Sequence, residues 1–165
     1  MGSKAIIITG TPGTGKSTLA HYLSKQLHLF HLDLHHYHKL LAMTYNQKKH
    51  CYDLDYHKVV SLVRQELQRH PQDIIIDSHI AHLLPKSLVR LCIVLTCSNL
   101  KVLTQRLHKR KYSQKKIEEN LQAEIFQVCL LEAQQKKHKV LVYDTLQKKE
   151  YLRVAKEIQA SFQRR

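Results

Sequence analysis

Four apolar runs divide the chain, and each stops at a small or polar residue: AIIITG at 5–10, DIIID at 73–77, RLCIVLT at 90–96 and KVLVYD at 139–144. The runs are continuous rather than alternating, which predicts strands buried on both faces. A weaker strand is expected over 29–34. Between the strands the apolar residues fall at helical spacing. Leu19, Tyr22, Leu23 and Leu27 share one face of a helix over 15–27. Val60, Val63 and Leu67 do the same in a helix that Asp55 caps and Pro71 ends. Asn99 can cap a helix running to 110, a longer helix is expected over about 113–135, and Tyr151, Val154, Ala155, Ile158 and Phe162 form the apolar face of a closing helix. Residues 33–50 are polar, rich in His and Lys, and without a clear period. Strands alternating with helices predict an α/β fold with a parallel sheet and helices on both faces.

Glycine use adds chemistry to this outline. The chain has only four glycines, at positions 2, 10, 13 and 15, and three of them fall in GTPGTGKST. From Gly10 to Ser17 this fits G-x-x-x-x-G-K-[ST], placed after an expected strand and opening an expected helix. The candidate nucleotide cradle is therefore Gly10, Thr11, Pro12, Gly13, Thr14, Gly15, Lys16, Ser17 and Thr18. Backbone N–H groups and the helix N-terminus would face phosphate oxygens, Lys16 would reach the β- and γ-phosphates, and the Ser17 hydroxyl would ligate Mg²⁺. Such a site needs a carboxylate at the end of a neighbouring strand. Asp77, preceded by three isoleucines, has that form, whereas Asp73 lies at the strand's other end. Asp77 can also be read as a cap for the next turn. His79 follows two residues later, and His82 takes no role from the sequence.

Arg106 and Arg110 are four apart and share a helix face. They read either as a clamp on phosphoryl oxygens or as a solvated basic helix end with Lys109, Lys111, Lys115 and Lys116. His31 and His35, with His36 and His38 adjacent, have the i, i+4 spacing of a helical metal site, but also that of a cationic surface facing phosphate or RNA. The net charge is +14, with 27 Lys and Arg against 13 Asp and Glu, which favours polyanionic partners such as RNA. Cys51, Cys92, Cys97 and Cys129 form no CxxC pair and are expected as reduced thiols. No apolar run is long enough to span a bilayer, and the N-terminal run is too short for a signal peptide. Ile6 stands where a myristoylation motif needs Ser or Thr. A cytoplasmic protein is expected, or a nuclear one if the source is eukaryotic.

GTPGTGKST, DSHIAHLLP, RLHKRKYSQKKIEENLQAEIF and VYDT occur in one order along the chain. Together they resemble the adenylate kinase isoenzyme 6 family, the small adenylate-kinase-related ATPases of archaea and eukaryotes. The KYSQKKIEENLQAEIF block is the most specific part, because P-loop enzymes in general lack it. The resemblance implies one P-loop kinase domain over 1–165 with a five-stranded parallel sheet. Its core would cover about 1–32 and 71–165, its monophosphate-binding arm 33–70 and its short lid 106–118. It implies ATP and Mg²⁺ at the P-loop, Asp77 acting on the Mg²⁺ shell, and His79 orienting water for hydrolysis. Arg106 and Arg110 match lid-region arginines facing the phosphates, and Asp144, Thr145, Gln147 and Lys148 match the loop beside adenine. Implied activities are ATP + AMP to two ADP and ATP hydrolysis; implied partners are a small-subunit ribosomal protein and rRNA, with no membrane. Lys111 stands where the family usually has glycine and Thr96 where it often has Arg, and no arginine occurs from 28 through 63 to meet the AMP phosphate. Two other readings compete with the enzyme: a nucleotide-switched ribosome-assembly factor, and a kinase of another small metabolite.

Overall fold

The computed structural model describes residues 2–46, 51–145 and 150–163, with side-chain detail for all but 42–46, 51–53, 150, 151 and 161–163. β1 (Ala5–Gly10) lies between β5 (Ile74–Asp77) and β6 (Val89–Thr96). β2 (His31–Asp33) and β7 (Val140–Asp144) complete a five-stranded sheet in the order β2-β5-β1-β6-β7, and all of its pairings are parallel.

Continuous apolar runs suit this sheet because both faces are covered. Ala5, Ile7, Ile74, Ile76, Cys92 and Val94 point to one side and pack with Val59, Val63 and Leu67 of α3 (Tyr56–Arg69). Ile6, Ile8, Ile75, Leu91, Ile93 and Leu95 point to the other. There they meet Leu19, Ala20 and Leu23 of α1 (Lys16–Leu27), and Val154, Ala155 and Ile158 of α7 (Glu150–Gln163). The side chains of Tyr151 and Phe162, expected on that face, lie outside the described residues. Burial pushes the Cys92 thiol up to about 12, so it packs as a small hydrophobe. At the sheet's lower edge Asp73 accepts bonds from both the Nε and Nη2 of Arg90 and, at 2.9 Å, from the Lys4 N–H. Asp73 thus ties the starts of three strands together, away from the site.

Residues without a clear period fold into small pieces. Leu34–Tyr37 is a 3₁₀ turn and α2 (His38–Leu41) a single helical turn. β3 (Ala42–Asn46) and β4 (Cys51–Leu54) then pair antiparallel. His31 lies in β2 and His35 on the 3₁₀ turn, so their four-residue spacing is not helical, and no metal-holding group of His, Cys, Asp or Glu occurs among the described residues. After α4 (Leu100–Lys109), the long helix expected over 113–135 is two helices, α5 (Gln114–Ile125) and α6 (Val128–Gln135). The break is at Gln127, whose φ of 50° is left-handed and ends the helical path. The soft start of α5 has a true cap, since the Ser113 Oγ accepts the Lys116 N–H at 3.3 Å.

With no glycine beyond position 15, the chain ends its helices on larger residues. His28, Lys111 and Lys137 have φ of 53°, 57° and 58°, and each sits in a terminal turn where glycine is usual. In these turns Leu29, Tyr112 and His138 donate back to Ser24, Leu107 and Ala133. Each left-handed non-glycine residue costs about 1 kcal/mol, offset in part by the lower entropy of the unfolded chain. Lys111→Gly is therefore expected to raise unfolding stability by about 0.5–1 kcal/mol in urea titration. An unchanged or lower midpoint would show that Lys111 gains there from contacts of its own.

Candidate active site

All the parallel strands deliver their C-terminal ends to one edge of the sheet. In register, Ile8 stands level with Asp77, Asp77 with Asp33, and Thr96 with Asp144. In open α/β sheets this edge is where ligands bind. The loop after β1 is shaped by close approach. At Gly10 (φ 142°) an added Cβ would lie 2.3 Å from the Leu95 carbonyl oxygen, so only glycine fits. At Gly13 (φ 89°) it would lie 3.0 Å from the Leu103 side chain, where the loop leans on α4. The loop is braced internally by the Thr14 hydroxyl, which donates to the Thr11 carbonyl at 2.8 Å. Gly15 begins α1 without a side-chain cap, which leaves first-turn N–H groups for an anion.

Lys16 folds back over this loop and donates to the Gly10 and Thr11 carbonyls at 2.8 and 3.0 Å. Burial lowers its pKa to about 8, and Arg110 lowers it further while Cys129 and Asp77 oppose. A buried lysine so depressed gains most from a nearby anion. Ser17 and Thr18 are exposed on the first turn of α1. The Ser17 hydroxyl donates to Asp77 Oδ2 at 2.7 Å, and His31 Nε2 lies 2.5 Å from Asp77 Oδ1. Asp77 is 3 % exposed. Burial alone would raise its pKa, but the bonds from His31 and Ser17 and the charge of Lys16 outweigh burial and hold it below the usual carboxylate range.

His79 is exposed at this edge, yet charged groups act on it from several segments. Desolvation, then Lys16, His82, Lys116 and His35, lower its pKa to about 4, so it is neutral at pH 7. These neighbours come from the P-loop, the segment after β5, α5 and the turn after β2, so basic side chains from four parts of the chain converge near His79, and Lys16 and Lys116 carry fixed positive charge there. Arg106 is half-buried and bridges two loops: its Nη1 donates to the Gly13 carbonyl at 3.2 Å and to the Thr145 hydroxyl at 3.4 Å. Arg110 is exposed at the end of α4, near enough to Lys16 to perturb it. Asp144 Oδ2 accepts the Ser98 N–H at 3.1 Å, and the Thr145 hydroxyl donates to the Thr96 carbonyl at 3.0 Å. Gln147 and Lys148, assigned to the same loop, lie outside the described residues.

A family model described as an AAA domain matches residues 6–127. The adenylate kinase isoenzyme 6 homolog of Schizosaccharomyces pombe is 39% identical over 132 residues, 79% of this chain and 74% of that protein. The homolog of the same name from Dictyostelium discoideum is 37% identical over 130 residues, 78% and 73% of the two chains. The chain belongs to the adenylate kinase isoenzyme 6 family. Among solved structures, a shikimate kinase from Bacteroides thetaiotaomicron overlays with a TM-score of 0.55 over 97% of this chain and 98% of its own, at 13% identity, which shows a shared P-loop kinase fold.

In this adenylate kinase isoenzyme 6 relative, three residues hold contacts that the sequence did not suggest. His31 is one. Another is Glu124, 8 % exposed, whose carboxylate accepts the Cys97 N–H at 2.6 Å behind the P-loop. The third is His82, which is 2 % exposed. Its Nε2 donates to Glu132 at 2.7 Å and its Nδ1 accepts from the Thr9 hydroxyl at 2.8 Å, while His138 Nε2 donates to its carbonyl at 2.9 Å. This chain props the residue just before Gly10. The sequence signal was the apolar setting of His82 within IAHLLP; its partners are 50 and 73 residues away.

Burial lowers the pKa of both His82 and His138, against the opposing pull of Glu132 and of backbone carbonyls respectively. Both are thus neutral in the fold, whereas in the unfolded chain they protonate near 6.5. Below that value the unfolded state binds more protons, so stability is present at neutral pH and is lost as pH falls. Thermal scans are expected to show Tm falling between about pH 7 and pH 5, above the range where carboxylates titrate. The slope should be shallower in His82→Gln, and an equal slope would assign the effect elsewhere.

Proposed function

We propose that this protein transfers the γ-phosphoryl group of ATP to AMP and, with water as acceptor, hydrolyses ATP. The observation that carries this reading is the Ser17–Asp77 contact beside Lys16, at the strand edge where Lys116 also acts. Family membership supports the kinase half of the reading.

The Ser17 hydroxyl and the Asp77 carboxylate are hard oxygen donors 2.7 Å apart, a donor set that fits Mg²⁺ held with water. Mg²⁺ when bound would neutralise charge on the β- and γ-phosphates. The chain's own groups do the rest. Lys16 exchanges the Gly10 and Thr11 carbonyls for phosphate oxygens. Arg110 and Lys116 add positive charge where it develops on the transferring group. Arg106 holds the P-loop against the loop at Thr145, beside which adenine would lie. The segment 33–70 acts as the arm that receives AMP and 106–118 as the lid, both joined to a P-loop kinase core spanning the chain. No arginine occurs from 28 through 63, so Lys39 is the candidate group in that stretch for the acceptor phosphate. Neutral His79 keeps a lone pair free to accept a hydrogen bond from water, and this supports its role in hydrolysis.

A second reading is favoured by the charge of +14. The nucleotide state would switch association with a small-subunit ribosomal protein and rRNA during subunit maturation. The two readings are compatible. No helix among the described residues is long and apolar enough to cross a membrane.

Nucleotide products from ATP alone and ATP plus AMP test the first reading. Lys16→Ala is expected to lower ADP formation by about 100-fold or more, and an unchanged rate would refute the site. His79→Ala is expected to lose hydrolysis while keeping AMP transfer; unchanged hydrolysis would remove His79 from the mechanism. For the second reading, binding to small-subunit rRNA should weaken steeply between about 50 and 200 mM salt and differ between ATP and ADP. Nucleotide-independent binding would count against a switch.

A further inference from the structure

Asp77 has two carboxylate oxygens, and each is held by a different part of the chain. Ser17, on the first turn of α1, takes Oδ2; His31, on β2, takes Oδ1. A carboxylate's terminal torsion is broad and roughly two-fold, so one donor leaves its plane poorly fixed. Two donors from opposite sides define it. His31 is suited to the task because β2 lies directly beside β5, with Asp33 level with Asp77. His31, the first residue of β2, is level with Ile75, and Ile75 and Asp77 share a sheet face, so the imidazole reaches two residues along that face to the last residue of β5. The His31 side chain is 12 % exposed, and its ring stands edge-on to that of His21 on α1, with centroids 5.0 Å apart. The imidazole is thus seated between the strand and the helix that carries Ser17.

We infer that His31 is a positioning residue for Asp77: its Nε2–H fixes the plane of the carboxylate so that Oδ2 faces Ser17 and the nucleotide-bound Mg²⁺. The inference rests on the reading of Asp77 as the Mg²⁺-shell carboxylate. Groups that hydrogen-bond a metal's carboxylate commonly change metal affinity 10- to 100-fold when removed. His31 has no part in gripping the phosphates, so its loss should touch only the metal-dependent share of nucleotide binding.

The test uses the full chain and a fluorescent ATP analogue, titrated first in EDTA and then with increasing Mg²⁺, with Tm measured in parallel. His31→Leu removes the donor at similar size, His31→Gln keeps an N–H, and Asp77→Asn is the control on the underlying reading. His31→Leu is expected to raise the Mg²⁺ concentration at half-effect by about tenfold or more, with affinity in EDTA and Tm close to wild type. His31→Gln should restore most of the loss. If Asp77→Asn leaves the Mg²⁺ half-point unmoved, the reading of Asp77 fails. If Asp77→Asn moves it and His31→Leu does not, the role of His31 is overturned. A His31→Leu protein that loses affinity equally in EDTA and in Mg²⁺, or that is not rescued by Gln, would mark His31 as structural only.

Discussion

Complete burial of the central strand is the constraint from which the rest follows. Ile6, Ile7 and Ile8 are 0% exposed, so β1 must be covered on both faces and flanked on both edges. A strand so enclosed can present polar groups only at its ends. Its two ends are accordingly treated in opposite ways. The lower end is closed by Asp73 and Arg90, a pair that satisfies itself. The upper end opens into a glycine loop whose lysine donates to backbone carbonyls, with Asp77 near enough to act on its charge. Everything polar that neighbouring strands deliver to the upper edge is then forced into company with that loop.

The company is electrostatically costly. Lys16, Lys116 and the histidines at 35 and 82 all act on His79 in the same direction, and Lys16 itself is pulled down by burial and by Arg110. Lys16, Lys116 and Arg110 carry fixed positive charge there, and an anion among them would offset their repulsion. Asp77 answers part of this, and its own bonds show how fully it is engaged. The remainder is what a polyphosphate would supply.

What could be read from the chain was local. The P-loop declares itself because its residues are contiguous, and Asp77 because three isoleucines announce a buried strand that ends on it. His79 follows from Asp77 by position. His31 could not be read, because its meaning depends on β2 lying beside β5 rather than elsewhere in the sheet, and strand order is not written in any one segment. Glu124 and the Thr9–His82–Glu132 chain were hidden for the same reason. The break at Gln127 was invisible on other grounds: a left-handed turn normally advertises itself with glycine or asparagine, and glutamine at an otherwise helical spacing gives no such sign. The histidines from 31 to 38 left two readings open, and the backbone removes the helical one, since a four-residue spacing means a shared face only where the chain is helical.

Lys16 and Arg106 already donate to backbone carbonyls, those of Gly10 and Thr11 and that of Gly13. If the site takes phosphates as proposed, its filling is a displacement reaction. Where a cation swings to a phosphate, the carbonyl it leaves must be rehydrated or find another donor. Heat released by the new bonds is partly cancelled by heat absorbed in breaking the old ones, so net gain per bond is modest. The compensation is geometric: until the ligand arrives, the same bonds keep two long side chains ordered and the loop open, so neither has to be collected from solution when the phosphates dock.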